Sequence, residues 1–213
     1  MAPTDRIVPR FAAEPPQESL PYGAWADRLR TELLPAFVGL EHDSEGDEDL
    51  PEGGLGEPGD IKWFPDRTWG GRTWVPATCR TSTGVELYGV VSFAPATEDG
   101  QEADHFTAVA DWTTETADAN PEWTIDLCDE VIGGWRGEPG QIAAMTLIWG
   151  SPTGGVGAYT ATAELGDLTV DRCNLIDDRF TLLAPDSYQG DTLSVVCWGA
   201  DHAERGRESL YED

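Results

Sequence analysis

TATAELGDLTVDRC, residues 160–173, decides the class of fold. Two runs of strand-forming residues flank Gly166-Asp167. A two-residue loop opening on glycine matches the right-handed twist of paired strands, so the stretch reads as a β-hairpin. The same texture recurs outward. GVELYGVVSF (84–93), HFTAVADW (105–112) and AAMTLIW (143–149) are rich in β-branched and aromatic residues and partly alternate. IGGWRGEPGQIAAMTLIW (132–149) reads as a second hairpin turning at Glu138-Pro139-Gly140, and RFTLLAPDSYQGDTLSVVCW (179–198) as a third with a longer loop. NPEWTIDLCDEVIGG (120–134) supports two readings. Asn120-Pro121 fits a helix start, with Trp123, Leu127 and Val131 on one face. Trp123, Ile125 and Leu127 also alternate, and we read a strand. The fold expected is mainly β: an antiparallel β-sandwich or barrel body spanning 57–205, with a C-terminal tail at 206–213.

GEPGDI (56–61) and GEPGQI (137–142) raise the question of an internal tandem duplication, with repeats 57–136 and 137–205. Landmarks follow in one order. Trp69-Gly70, Cys79, Phe93-Ala94-Pro95, Gly100 and Trp112 run parallel to Trp149-Gly150, Cys173, Leu183-Ala184-Pro185, Gly190 and Trp198. Their spacing drifts, as loop insertion would produce. Duplication and coincidence in a Gly- and Pro-rich chain both stay open.

The N-terminal part differs. Residues 1–21 carry Pro3, Pro9, Pro15, Pro16 and Pro21 and read as an extended arm. Residues 22–38 read as an amphipathic helix, with Trp25, Leu29, Leu33 and Phe37 at steps of four and Leu34 beside them. Pro35 is expected to stop or kink it. Residues 39–56 are acidic and rich in Gly and Pro, the composition of a tether.

Charge excludes more than any motif identifies. Forty acids face thirteen bases, a net charge of −27, and Lys62 is the sole lysine. Such a chain repels phosphate backbones and anionic membranes, so neither nucleic acid nor a membrane is expected as partner. No apolar run reaches the ~20 residues of a membrane span. The first residues lack an apolar signal core, which predicts a cytoplasmic or particle-associated protein not secreted through a signal peptide. Cys79, Cys128, Cys173 and Cys197 are widely spaced and form no zinc pattern. They read as reduced, buried thiols, with one bridge between neighbouring strands as the alternative.

Catalytic and cofactor signatures are missing. There is no phosphate-binding Gly-rich loop with its lysine, no G-x-S-x-G and no H-E-x-x-H. GGVGAY (154–159) lacks the third glycine of a dinucleotide turn. DSEGDEDLPEGG (43–54) fails as a calcium loop, because Glu48 stands where the turn needs glycine and Gly54 where a bidentate glutamate belongs. His42, His105 and His202 are scattered and read as solvated or strand-initiating. The expectation is no enzyme, no cofactor and no metal.

Two interaction features remain. Trp25, Leu29, Leu33 and Phe37 form a face that packs either on the chain's own body or on a neighbouring subunit, where a tether would raise its effective concentration. IKWFPDRTWGGRTW (61–74) concentrates Trp63, Trp69 and Trp74 as core or as an aromatic platform. The leading expectation is a non-catalytic structural or interaction protein, a subunit of a virion, a phage-derived tail or a similar particle. It would contact protein subunits, its own or others, through the arm and helix as an oligomer. The alternative is a Trp-rich β module binding carbohydrate or peptide, and a hydrolase with an acid pair ranks third.

Overall fold

In the computed structural model, which describes residues 20–43, 51, 53–96, 102–136, 142–186 and 192–210, the hairpin of 160–173 forms. Strand β8 (Ala158–Leu165) turns through Gly166-Asp167 into β9 (Leu168–Asn174). Gly166 takes φ +59°, which glycine adopts without a Cβ penalty. Ala161, Ala163 and Leu165 are fully buried in the core, and Thr160, Thr162 and Glu164 alternate with them on the opposite face.

The other strands are β1 (Pro58–Trp63), β2 (Arg67–Trp69), β3 (Arg72–Thr81), β4 (Glu86–Ala94), β5 (Asp104–Thr113), β6 (Ile125–Arg136), β7 (Ile142–Pro152), β10 (Phe180–Asp186), β11 (Leu193–Gly199) and β12 (Glu204–Ser209). They form three antiparallel sheets among the described residues. The first is ordered β1-β3-β4-β5, with β2 also on β3; the second is β10-β7-β6; the third is β12-β11-β8-β9. The second and third sheets enclose one core that includes Met145, Leu147, Trp149, Phe180, Leu182, Val195 and Cys197. Side chains draw their edges together. Asp171 of β9 accepts from the Leu183 amide of β10 at 2.8 Å, and Glu208 of β12 accepts from the Thr124 amide just before β6 at 2.7 Å. The body is therefore a β-sandwich, with the first sheet laid on its β6–β7 side through Trp74, Tyr88 and Val90.

Helix α1 (Gly23–Asp43) covers the other face of the first sheet. Leu29, Leu33 and Phe37 are buried to within 1% against Val75, Ala77, Leu87, Val91 and Phe93. Trp25 meets Phe93 edge-on at 5.1 Å, and the Arg28 guanidinium lies 4.6 Å from the Phe106 ring centre. Pro35 does not end the helix, which continues to Asp43 through residues assigned from sequence to the tether. A helix-interior proline costs about 3 kcal/mol. Burial of Leu29 and Leu33 before it and Phe37 after it, about 1.5–3 kcal/mol each, outweighs that cost. Pro35 also sits on the exposed side, where a helix bends most easily. Leu55, expected in the tether as well, is buried in the same cluster, and its carbonyl accepts from Thr83 Oγ1 at 2.6 Å.

Other expectations change too. Residues 179–198 do not form a hairpin: β10 pairs with β7 and β11 with β8. Both strands are apolar on both faces, so their sequences carry no mark of which neighbour each takes. In 120–134, Ile125 and Leu127 lie in β6 and Trp123 in the turn before it. The turn at 138–140 lies outside the described residues, yet β6 and β7 pair along their length, so that hairpin forms. This pairing joins the two segments proposed as repeats, 57–136 and 137–205. Those segments also differ in connectivity: β3-β4-β5 is a meander, whereas β7 to β11 interleave between two sheets. Trp69-Gly70 enters a turn, while Trp149-Gly150 lies inside β7. Residues 206–209, expected as tail, complete β12 by pairing with β11.

Candidate functional site

The tryptophans of 61–74 do not form a platform. Trp63, in β1, is 7% exposed and faces the helix-side cluster. Trp69 and Trp74 pack instead against the core of the sandwich, on the other face of the first sheet. Gly70 and Gly71, both at positive φ, make the tight turn joining β2 to β3. Within this hairpin the Trp74 indole donates to the Trp69 carbonyl at 3.2 Å. The Trp69 ring lies over Gly133 of β6, so near that a Cβ there would stand 2.9 Å from it. These rings fasten the first sheet to the second. Of the four helix residues expected to meet a partner, Leu29, Leu33 and Phe37 are used within the chain, while Trp25, 38% exposed, offers surface.

The scarce cations serve the same seam. Arg67, 3% exposed, makes a forked ion pair with Asp171 at 2.7 and 3.3 Å and also donates to the Thr181 carbonyl, tying β2 to β9 and β10. Arg179 donates to the Trp63 carbonyl at 2.9 Å. Lys62 Nζ donates to Ser151 Oγ at 2.6 Å, linking β1 to β7. Burial and then the charge of Arg179 lower the Lys62 pKa. A hydroxyl beside such a lysine has the spacing of a nucleophile and its base. However, the open cavity of about 660 Å³ next to Lys62 is lined by Asp60, Trp63 and Arg179 and not by Ser151, so the contact reads as a tie between sheets. Nearby, Glu86 is pushed up to about 7 by burial and then by Asp126, with Lys62 and Arg80 pulling it back.

A different surface has the form of a binding site. On the outer face of the third sheet, a groove of about 400 Å³ is lined by Tyr159, Thr160, Thr162, Arg172, Trp198 and His202, with Thr169 and the 199–200 turn completing it. Strand parity builds it. In β11, Leu193, Val195 and Cys197 face the core, which puts Trp198 on the outer side. The Trp198 indole donates to Thr162 Oγ1 at 2.8 Å, fixing the ring across the neighbouring strand. Two bulges flank it. Tyr159 is the extra residue where β8 meets Trp198-Gly199, and Arg205 is the extra residue where β12 meets Cys197-Trp198. A bulge bends its strand and re-aims side chains, and it leaves Tyr159 56% exposed at the rim. The turn from β11 to β12 places His202 at φ +63°, held by its amide donating to the Gly199 carbonyl at 2.9 Å. His202, expected to be solvated near the tail, is exposed as expected but contributes to this groove.

None of Tyr159, Arg172 and Trp198 was singled out from sequence as a binding residue. The available signal was the alternation of LSVVCW, which puts Trp198 and Val196 on the face opposite Leu193, Val195 and Cys197. The bulges leave no such mark. No disulfide joins the four cysteines, which removes the alternative of a bridge. Cys79, Cys173 and Cys197 are buried, and burial pushes the Cys173 and Cys197 thiols up to about 12. Among the described residues no group of three or more His, Cys, Asp or Glu side chains is placed to hold a metal ion. No described helix is long and apolar enough to cross a membrane. Compared with known proteins, the chain matches no family model, no curated protein and no solved structure.

Proposed function

We propose that this chain is a non-catalytic ligand-binding β protein whose site is the Trp198 groove, taking a carbohydrate ring. One observation carries the reading. An indole fixed by buried Thr162 and a bulged, exposed Tyr159 stand beside the exposed polar side chains of Thr169, Arg172 and His202 in a single open groove. Aromatic faces cover the apolar C–H surface of a sugar, and exposed polar side chains hydrogen-bond its polar edge. The expected platform thus moves from Trp63, Trp69 and Trp74 to Trp198 and Tyr159. The competing role, a particle subunit joined through its helix, loses the side chains that motivated it, since Leu29, Leu33 and Phe37 are buried against the first sheet of the same chain. Residues 1–19 of the Pro-rich arm lie outside the described residues.

The test is an NMR titration of ¹⁵N-labelled protein with a panel of monosaccharides and short oligosaccharides, following the Trp198 indole signal, assigned with Trp198→Phe. A saturable shift of that signal, mirrored by the backbone amides of Tyr159, Thr162 and Arg172 and lost from those amides in Trp198→Ala at an unchanged melting temperature, supports the reading. A panel that leaves the signal unmoved refutes it.

A further inference from the structure

The charge around the groove runs against the rest of the chain. The net charge is −27, yet no Asp or Glu lines the groove, while Arg172 does. The acids at its border are each held by an arginine, Arg207 being shared between Glu164 and Glu204. Glu164 accepts from Arg207 at 3.0 Å, and Asp201 is held by both of its oxygens on Arg205 at 2.8 and 2.7 Å. Arg172 has no ion-pair or hydrogen-bond partner among the described residues, and it is exposed. A free guanidinium is a planar fork suited to a carboxylate.

Register places the parts. Arg172 of β9 lies opposite Thr162 of β8, and Trp198 of β11 lies opposite Thr160 of β8. Arg172 and Trp198 therefore stand on either side of β8, two strand spacings across and two residues along it, roughly 12 Å apart at the backbone. A single ring lying over Thr160 and Thr162, stacked on Trp198, would direct one substituent toward Arg172.

We infer that the groove selects an acidic sugar, a hexopyranose bearing a carboxylate (a hexuronate), stacked on Trp198 with its carboxylate on Arg172. The inference rests on the reading of the groove as a carbohydrate site and adds the ligand's charge. One unpaired guanidinium within an acidic surface also favours a ligand with one localised charge over a polyanion, which the surrounding carboxylates repel.

The experiment compares glucuronate, glucose and acetate by NMR titration of the full chain at low and high salt. Glucuronate is expected to bind about two- to fivefold more tightly than glucose, the usual gain from a solvent-exposed ion pair. Acetate should bind least, because it lacks a ring. High salt should narrow the gap between the two sugars. Arg172→Gln should bring glucuronate to the affinity of glucose; Arg172 is exposed and unpaired, so this variant is expected to fold, and its melting temperature verifies that. Equal binding of glucose and glucuronate in the unaltered protein would overturn the acidic-sugar assignment and leave the carbohydrate reading standing. Acetate matching glucuronate would show a bare anion site and overturn the assignment. A Trp198 signal unmoved by either sugar would remove both the assignment and the reading beneath it.

Discussion

Glu86→Gln should flatten the dependence of stability on pH. Glu86 opens β4 opposite Arg80 of β3, in the seam where the first sheet meets β6 and β7. Burial there favours the neutral carboxyl, and Asp126 adds to it, so the pKa rises from an ordinary 4.5 to about 7. The folded protein then holds this proton more tightly than the unfolded chain. Stability is fully present below about 4.5, is lost as pH rises through about 7, and changes no further above that. At about 1.4 kcal/mol per pH unit the full loss is about 3 kcal/mol. Solvent reaching this half-buried group brings the expectation to about 1–3 kcal/mol. Glutamine mimics the protonated form at every pH. Urea unfolding followed by tryptophan fluorescence should therefore give nearly equal stabilities for the two proteins at pH 4, and a variant more stable by that amount at pH 8. Asp66, raised to about 6 chiefly by burial, and Asp129 and Glu130, also raised, titrate in both proteins and cancel in the difference. Parallel pH profiles would refute the reasoning, since they would mean that Glu86 is hydrated in the fold.

Leu33→Ala removes a fully buried side chain between α1 and the first sheet and should cost about 2–5 kcal/mol. The loss should be independent of protein concentration, because the helix packs on its own chain. A concentration-dependent loss would restore the helix as a connector between subunits. Arg67→Ala strands the Asp171 carboxylate in the seam and should cost about 3–5 kcal/mol, whereas Arg67→Met combined with Asp171→Leu should cost far less. Equal losses in urea unfolding for the single and the paired replacement would show that the ion pair is not what holds β2 to β9.

Much of the local structure was legible in the sequence. Gly166-Asp167 sets a hairpin because its backbone geometry is a property of those two residues. The four-residue recurrence of Trp25, Leu29, Leu33 and Phe37 sets a helix with one apolar face. The alternation along 105–112 sets a strand with one face toward the helix. Each of these signals acts over a few residues, and each element forms. The extent of α1 past Pro35 was not legible, because the packing that overrides the proline comes from strands more than thirty residues away in sequence.

Beyond that range the tertiary structure decided. An apolar stripe says only that it will be covered, so the docking of α1 on its own first sheet had to come from the folded chain. β10 and β11 are apolar on both faces, and nothing local assigns one to β7 and the other to β8. The Trp-rich segment was conspicuous, yet Trp63 packs on the helix side of the first sheet and Trp69 and Trp74 pack against the sandwich, while the indole left at a groove was a lone Trp198 at the end of a strand. That groove depends on Tyr159 and Arg205 being extra residues in their strands. A bulge exists only relative to the partner strand, and one extra residue changes which side chains share a face. The sequence by itself determined which segments extend, coil and turn, since those preferences are local. Which faces meet, and what remains exposed, follow from the pairing of distant strands and the competition for a shared core.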